Sequence, residues 1–522
     1  MGLASFIARR ILADPERQDR LSRPIVLIAM VGIVLGMAVM VLTVGITRGF
    51  QREIRAKVVG VGGHLQLTTI AQNDPKETPR MVFDPAQAKA LRALPGVAHV
   101  QTYATKPGIV ETDGDIEGVV VRGLGGDLDP TYLMRHLVEG RLPVLGAAER
   151  PNEVLISAYL ADRMRIAVGD TITIYLVKDR DDIRPRKFTV TGTYRTGLEQ
   201  VDHQLVVVDI GHLQRFAQWG LTAEILVSDT TIGRADLFRV EGLAFGGDRD
   251  LMYEWPGTIL QGKGPHLIDP AELAHQDGRL TLVVHDASGT IPDTAWVRLK
   301  PNDLRRITDS WGTNYPVFDG YTVERGGGGG SHDQYVGGIE VDLTAFDRLD
   351  DVEEVVHAQV LEPDQRLTTV RERSPEIFAW LELLDTNVAV VIVLMVVVAV
   401  INMTSALLLI ILERTTMIGV LKALGATNGQ VRRIFLLDGA YILGLGILGG
   451  DLLGVVLALV QRWTGWVRLP VESYYVDVVP VDLELWPILL LNAGTLVVCV
   501  AALVLPSMLV TRIAPARAIR FD

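Results

Sequence analysis

Apolar residues are not spread evenly along this chain. They gather into four runs, one near the N-terminus and three near the C-terminus, with a mixed, charged stretch between. The first run is Pro24 to Thr47, the second Thr386 to Leu412, the third about Phe435 to Gln461, the fourth Leu485 to Thr511. A bilayer core of roughly 30 Å takes about 20 helical residues, so each run is long enough to cross it. Four such runs are too many for buried soluble helices, and they predict four transmembrane helices. Two helices outrun the membrane. No helix breaker stands between Ile25 and Gly60, and charge begins only at Arg48. Ser374-Pro375-Glu376 reads as an N-cap followed by proline at the first helical position. A continuous helix from Pro375 to Leu412 would rise about 55 Å, leaving roughly 25 Å as a stalk outside the bilayer. The alternative is a separate amphipathic helix before the span.

Residues 50 to 373 are soluble in character. Gly169-Asp170-Thr171-Ile172-Thr173-Ile174-Tyr175 alternates after a turn signal, as does Lys187-Phe188-Thr189-Val190-Thr191-Gly192. Both predict strands, and Lys178 to Arg186 between them reads as a charged loop. Asp84-Pro85 to Leu94 predicts a helix closed by the turn Pro95-Gly96, and Phe346 to Ala358 is a mixed segment. Strands interleaved with helices predict an α+β domain. From about 221 to 334 the texture changes. Trp255, Trp296 and Trp311 sit among many Gly, Pro and Asp residues, and Gly326 to Gly330 precede Ser331. A five-glycine run reads as a flexible loop or linker. The block reads as an inserted β-rich subdomain, or else as elaborated loops.

Charge orients the spans. Arg9, Arg10, Arg17, Arg20 and Arg23 precede the first run. Arg414, Lys422, Arg432 and Arg433 lie between the second and third, and Arg512, Arg517 and Arg520 follow the fourth. Four spans put these three basic segments on one side, so all are expected in the cytoplasm. The loop after the third run carries Glu472, Asp477, Asp482 and Glu484, and the middle domain is acidic. Both are expected outside. The 522-residue chain has a net charge of -12, which argues against nucleic acid as a partner. A single cysteine, Cys499, rules out an internal disulfide. No cleavable signal peptide is visible, because the uncharged run after Arg23 is too long for one.

Candidate chemistry is sparse. Gly257-Thr258-Ile259-Leu260-Gln261-Gly262-Lys263 matches the start of a phosphate-binding P-loop, but Gly264 stands where Ser or Thr should hold magnesium. Gly264-Pro265 also suits a turn better than a helix opening. The ten histidines show no metal-ligand spacing, Gly-x-Ser-x-Gly is absent, and no enzyme active site is visible. Asp451 lies in the third run, within Gly449-Gly450-Asp451-Leu452-Leu453-Gly454. A charge at membrane depth costs at least about 2.5 kcal/mol, so Asp451 should face a cavity or a partner helix. The flanking glycines permit close helix approach. Either a functional polar site or a hydrogen-bonded helix interface fits.

The loop between the second and third runs is the most informative stretch. It reads Glu413-Arg414-Thr415-Thr416-Met417-Ile418-Gly419-Val420-Leu421-Lys422-Ala423-Leu424-Gly425-Ala426-Thr427. Residues 414 to 424 predict a short helix with Met417, Ile418, Leu421 and Leu424 on one face. Gly425 suits its C′ position, and Thr427 with Gln430 forms a possible capping box for the next helix. A short amphipathic helix joined directly to two spans is suited to receive force from a docked soluble partner. The plain alternative is a surface-lying connector.

Residues 413 to 426 resemble the coupling segment of FtsX/MacB-type ABC transporter permeases, whose pattern is Glu-Arg, then Ile-Gly-hydrophobic-Leu-Lys-Ala-Leu-Gly-Ala. Within that superfamily the chain is most similar to the lipoprotein-releasing LolC/LolE subfamily. Arg48-Gly49-Phe50 leading to Gly60-Val61-Gly62-Gly63-His64-Leu65 looks like the exit of its first span. Pro470-Val471-Glu472-Ser473-Tyr474-Tyr475-Val476-Asp477 through Pro480-Val481 looks like the loop before its last span. Pro515-Ala516-Arg517-Ala518-Ile519-Arg520 looks like its C-terminal end. The resemblance covers roughly residues 1 to 220 and 335 to 522.

It implies an α-helical membrane protein with four transmembrane helices plus an α+β extracytoplasmic domain like the MacB periplasmic core. The implied layout is a cytoplasmic segment 1–23, first span and stalk 24–60, and a periplasmic domain 61–373 with its insert at 221–334. Stalk and second span follow at 374–412, a coupling loop at 413–434, and the third span at 435–461. A periplasmic loop at 462–484, the fourth span at 485–511 and a cytoplasmic tail at 512–522 complete it. The membrane would be the bacterial inner membrane. Two permease subunits would pair, as homodimer or heterodimer, and two copies of a separate ABC ATPase would dock on Glu413, Arg414, Met417, Ile418, Leu421, Lys422, Leu424 and Gly425. ATP and Mg2+ would sit on that ATPase, with no cofactor or metal on this chain. The cargo would be a lipoprotein lifted from the outer leaflet, with membrane lipid around it, and passed to a periplasmic chaperone. The short stretch Lys178 to Arg186 replaces the long loop of chaperone-capturing subunits. Alternative readings are a MacB-like exporter of peptides or drugs and an FtsX-like signalling protein controlling cell-wall hydrolases.

Overall fold

The structure, a computed structural model, describes residues 22–71, 76–112, 114–147, 149–179, 182–228, 238–247, 250–269, 273, 277–286, 291–301, 305–317, 321–470 and 474–512. Arg9, Arg10, Arg17, Arg20, residues 471–473 and the motif Pro515 to Arg520 lie outside them. The chain divides into two units, one of residues 1–57 and 374–522 and one of residues 58–373.

The first unit is helical. Four of its helices are long and apolar enough to cross a membrane. They are α1 (Ser22–Gly62), α7 (Pro375–Glu413), α9 (Asn428–Thr464) and α10 (Leu485–Ser507). The short α8 (Thr415–Ala423) joins α7 to α9. Pro375 sits in the first turn of α7, which then runs unbroken for 39 residues. Thr427 and Gln430 form the full capping box, fixing the start of α9 at Asn428, ahead of the hydropathy edge at Phe435. Gly465, in a left-handed conformation at φ 56°, ends α9.

Small residues set the packing of α1 on α9. Gly446, Gly450 and Gly454 recur every fourth residue and meet Ile33, Met37 and Val41, which recur likewise on α1. A Cβ on Gly450 would lie 2.3 Å from the Met37 Cβ and 2.8 Å from the Val34 carbonyl oxygen. Between lipid-exposed helices there is little hydrophobic drive, so such close approach supplies the attraction through dispersion. A shared core of Met403, Leu407, Ile411, Ile418, Phe435, Leu443, Cys499 and Leu503 ties α7, α8, α9 and α10 together.

The second unit is built on a ten-stranded mixed sheet. Its strands are β1 (Leu65–Thr69), β3 (Val97–Glu111), β4 (Ile116–Leu124), β5 (Leu137–Gly140), β6 (Glu153–Ser157), β7 (Thr171–Asp179), β8 (Asp182–Tyr194), β9 (Leu205–Asp209), β20 (Gly338–Leu343) and β21 (Gln365–Thr369). The order is β21-β1-β20-β3-β4-β9-β6-β8-β5, with β7 pairing β3 and β8. A two-stranded ladder of β2 (Met81–Val82) and β19 (Tyr335–Val336) stands apart. Helices α2 (Pro85–Ala93), α3 (Thr131–Arg135), α4 (Ala158–Met164), α5 (Ile210–Phe216) and α6 (Leu349–Gln359) accompany the sheet. Asp84 caps α2 by accepting from the Ala86 and Gln87 amides, as its place before Pro85 predicts.

The stretch Lys178 to Arg186 is not a loop. β7 and β8 pair from Thr171↔Thr189 out to Asp179↔Asp182, making one long hairpin. β3 pairs β7 only as far as Leu176, and β6 pairs β8 only from Thr189 to Tyr194. The outer part of the hairpin is therefore a two-stranded arm with no further sheet neighbour on either strand. Charge misled the reading because an exposed ladder needs no apolar alternation.

The block from Leu221 is β-rich, as its texture predicts. It holds β10 (Leu221–Ser228), β11 (Phe238–Gly246), β12 (Leu251–Glu254), β13 (His266–Ile268), β14 (Arg279–Asp286), β15 (Asp293–Pro301), β16 (Arg305–Thr308), β17 (Asn314–Val317) and β18 (Tyr321–Gly327). They form the sheets β10-β11-β13 and β12-β14-β15-β18 and the hairpin β16-β17. Ile225, Val240, Trp255, Leu282 and Val297 fill the core shared by the first two sheets. The five-glycine run is not a flexible linker. Gly326 and Gly327 close β18, and the Gly328 amide donates to the Thr294 carbonyl at 2.8 Å. A Cβ on Gly326 would strike the Trp296 ring at 2.4 Å, and one on Gly328 the Ala223 carbonyl oxygen at 2.3 Å. The glycines serve close approach, which composition alone reads as flexibility.

Candidate functional site

The stretch Glu413–Gly425 forms an end of the helical unit. Glu413 is the last residue of α7 and Arg414 the joint before α8. Ile418 is fully buried, and Met417 and Leu421 pack on the helical core beside it. The Lys422 ammonium donates to the Val510 carbonyl at 2.5 Å, tying α8 to the chain after α10. Gly425 takes φ +94° and ends the helix, a conformation that favours glycine. Leu424 differs from its expected partners. It is 81% exposed, and Thr416, Val420 and Ala423 are exposed with it. The face expected to receive a partner is thus split: Met417, Ile418 and Leu421 hold α8 against the spans. Thr416, Val420, Ala423 and Leu424 form the outward face. Spacings of four, seven and eight residues put these four on one side of a helix. Sequence periodicity found an amphipathic helix but could not say which apolar residues the spans would cover.

At the opposite end of the unit, exposed tryptophans gather where α9 ends and α10 begins. Trp463, Trp466 and Trp486 are all exposed. Such residues favour the bilayer–water boundary, where a ring sits among headgroups. Near this level, Phe50 of α1 meets Trp380 of α7 edge-on at 5.7 Å and Tyr474 at 6.3 Å. The Gln51 amide donates to the Asp385 carboxylate at 2.8 Å, linking α1 to α7 a second time.

Inside the helical unit, Asp451 accepts from the Asn492 amide of α10 at 2.6 Å, so it faces a partner helix. Sequence reading missed Asp438, which is buried in α9. Its signal was in plain sight, a second carboxylate within the run from Phe435 to Gln461.

The sheet unit holds a buried polar network. Glu340 of β20 has no exposed surface and accepts from Gln66 of β1 at 2.7 Å, Gln101 of β3 at 2.9 Å and Arg122 of β4 at 2.5 Å. Arg373 donates to the Gly63 carbonyl at 2.5 Å. Burial pulls the Arg373 guanidinium down from its ordinary value, and the Glu340 charge opposes that pull. Burial first, then Glu340, pushes the Tyr103 phenol up, so it stays neutral beside the network. A small cavity of about 70 Å³ opens next to it, lined by Arg122, Asp129, Tyr132, Tyr194 and Asp342 among others. Among the described residues no group of His, Cys, Asp and Glu has the arrangement of a metal site. The P-loop-like stretch is a turn: Gly257, Gly262 and Gly264 take positive φ, and strand β13 (His266–Ile268) follows it directly.

A family model for the MacB-like periplasmic core domain matches residues 26–234, and one for the FtsX-like permease C-terminal domain matches residues 389–515. The lipoprotein-releasing system transmembrane protein LolC of Neisseria meningitidis serogroup B is 24% identical over 225 residues, covering 40% of this chain and 49% of that protein. The LolC of Xylella fastidiosa strain Temecula1 is 26% identical over 221 residues, covering 41% and 51%. The chain thus matches about half the length of these relatives. Among solved structures, the extracellular domain of the noncanonic ABC-type transporter YknZ from Gram-positive bacteria covers 29% of this chain and 76% of that chain, at 13% identity and a TM-score of 0.21. That superposition is too weak to add to the family models. With the core-domain model over the first membrane helix and most of the mixed sheet, and the permease model over the other three membrane helices and the α8 loop, the chain belongs to the FtsX/MacB-type ABC transporter permeases.

Proposed function

We propose that this chain is the permease subunit of a machine that releases lipoproteins from the outer leaflet of the bacterial inner membrane. The termini and α8 lie in the cytoplasm and the sheet unit lies in the periplasm. One copy of a separate ATPase docks on α8 and a second copy on the matching helix of a second permease subunit, which completes the membrane part. No catalytic step belongs to this chain; ATP and Mg2+ are held by the ATPase. The observation that carries the reading is the α8 loop. Its buried side is fused to the spans through Ile418 and Leu421, and its outer side presents Val420, Ala423 and Leu424. A partner that seizes the outer side moves the spans with it. The LolC relatives supply the cargo class. A periplasmic chaperone takes the released cargo; the short Lys178 to Arg186 stretch, unlike the long loop of chaperone-capturing subunits, assigns this chain to the substrate side or to a homodimer using other contacts.

Depletion of the protein tests this directly. Acylated lipoproteins bound for the outer membrane should accumulate in the inner membrane. Normal sorting in depleted cells refutes lipoprotein release. Leu424→Asp with Val420→Asp should abolish ATPase docking while the protein still inserts; retained docking refutes the assigned face.

A further inference from the structure

Two sequence stretches singled out above, Arg48-Gly49-Phe50 and the segment ending Pro480-Val481, have no role in the docking of an ATPase. They touch. The Gly49 position leaves no room for a side chain, because a Cβ there would lie 2.6 Å from the Pro480 carbonyl oxygen and 2.9 Å from the Val481 nitrogen. One turn earlier the Gly45 carbonyl accepts from the Asp482 amide at 2.9 Å. Three cations on the same helix then grip the segment. Arg48 pairs with Glu484, Arg52 pairs with Asp482 at 3.0 Å, and Lys57 donates to the Tyr475 carbonyl at 2.7 Å.

The far side of the segment is fastened to α9. The Gln461 carboxamide, in the last turn of α9, accepts from the Val467 amide at 2.9 Å. It donates to the Val467 carbonyl at 3.0 Å and the Val479 carbonyl at 3.4 Å. Leu469 and Asp477 join by a backbone hydrogen bond of 2.9 Å. Tyr475 holds φ +61°, which a bulky non-glycine residue keeps only where its surroundings over-determine it. Its surroundings are Lys57 on its carbonyl and Trp380 edge-on to its ring at 6.3 Å.

We propose that Tyr474–Glu484 is a strap that makes the stretch of α1 beyond its glycine contact with α9, Gly45 to Lys57, move with the end of α9. The path is continuous within the helical unit: α8, the capping box, α9, Gln461, the strap, and the stretch of α1 from Gly45 to Lys57. Force taken up at α8 reaches α1 beyond the membrane through the strap. Gly49, Arg48, Arg52, Asp482 and Glu484 are its positioning residues. The inference rests on the proposed function only for the source of the force.

The test uses the full chain assembled with its ATPase, in a Cys499→Ser background. Spin labels go on Ala56→Cys of α1 and Arg462→Cys of α9, both at exposed positions. With the strap intact the distance should be narrow and unchanged when nucleotide is trapped on the ATPase. With Arg48→Glu and Arg52→Asp it should broaden on trapping. ATP-driven cargo release should fall roughly tenfold, the range of a typical coupling energy, while ATPase docking persists. Adding Asp482→Arg and Glu484→Arg should restore both readouts, which loss of folding alone would not allow. A distance that changes on trapping with the strap intact overturns the proposal. So does a distance that stays narrow in the reversed-charge protein. Failure of lipoprotein release in the unmodified protein would refute the proposed cargo instead, and the distances would still judge the strap.

Discussion

Glu340 illustrates what a single residue does here. It is fully buried, yet three strands donate hydrogen bonds to it, from Gln66, Gln101 and Arg122. Taking its charge away leaves Arg122 buried beside groups with nothing to accept from them. Glu340→Ala should therefore destabilise the sheet by about 3–5 kcal/mol, as breaking a buried ion pair does. Glu340→Gln should cost less, because the amide oxygen still accepts. Thermal unfolding of the two variants checks the order. Two histidines carry a second residue-scale prediction. Burial lowers the pKa of His212 and of His332, so each is kept neutral in the fold. The neutral ring nitrogen of His332 accepts from the Arg215 guanidinium at 3.3 Å. The unfolded chain binds these protons more readily, so stability holds above about pH 6.5 and is lost as pH falls below it. His332→Asn should flatten that slope in a pH series of unfolding midpoints.

At the scale of elements, glycine spacing decides how α1 meets α9. Gly446, Gly450 and Gly454 are spaced for one helix face, and Met37 sits where a Gly450 side chain would go. Gly450→Leu should force the helices apart, at about 1–3 kcal/mol for overpacking. Gly444→Leu should be tolerated, since nothing lies within 4 Å of a Cβ there. Detergent unfolding or resistance to proteolysis compares them. The sequence suggested close approach around Asp451 but named no partner. The partner is α1, whose Val34, Met37, Ala38 and Val41 lie against the glycines. The α8 loop teaches the converse. Its amphipathic pattern was legible, while the division into covered and exposed apolar residues depended on the spans that flank it.

At the scale of the molecule, the two long helices join neighbouring strands. α1 leads into β1, and β21 leads through Val370–Arg373 to α7. β1 and β21 pair antiparallel from Leu65↔Thr369 to Thr69↔Gln365. The insert, by contrast, is closed on itself. The Leu221 amide donates to the Ser331 hydroxyl at 2.9 Å, and the Ser331 amide to the Leu221 carbonyl at 2.8 Å. Its two ends are thus already side by side. Joining Leu221 directly to Ser331 should leave the mixed sheet folded, seen as one cooperative transition and normal membrane insertion. Loss of folding would show that the insert's core is part of the sheet's own.

The sequence by itself determined the four apolar helices, their capping signals, the soluble α+β middle, the odd texture after Leu221 and the α8 loop. Those features are local: length, charge and caps are written within one turn or one strand. Only the tertiary structure decided that Lys178 to Arg186 continues a hairpin and that four of the five glycines from 326 to 330 are packed rather than slack. It also decided that Leu424 faces out while Ile418 faces in, and that Gly49 meets Pro480. Each of these depends on which distant backbone stands a few ångströms away. No window of neighbouring residues carries that information, because a glycine needed for close contact and a glycine needed for freedom are spelled alike.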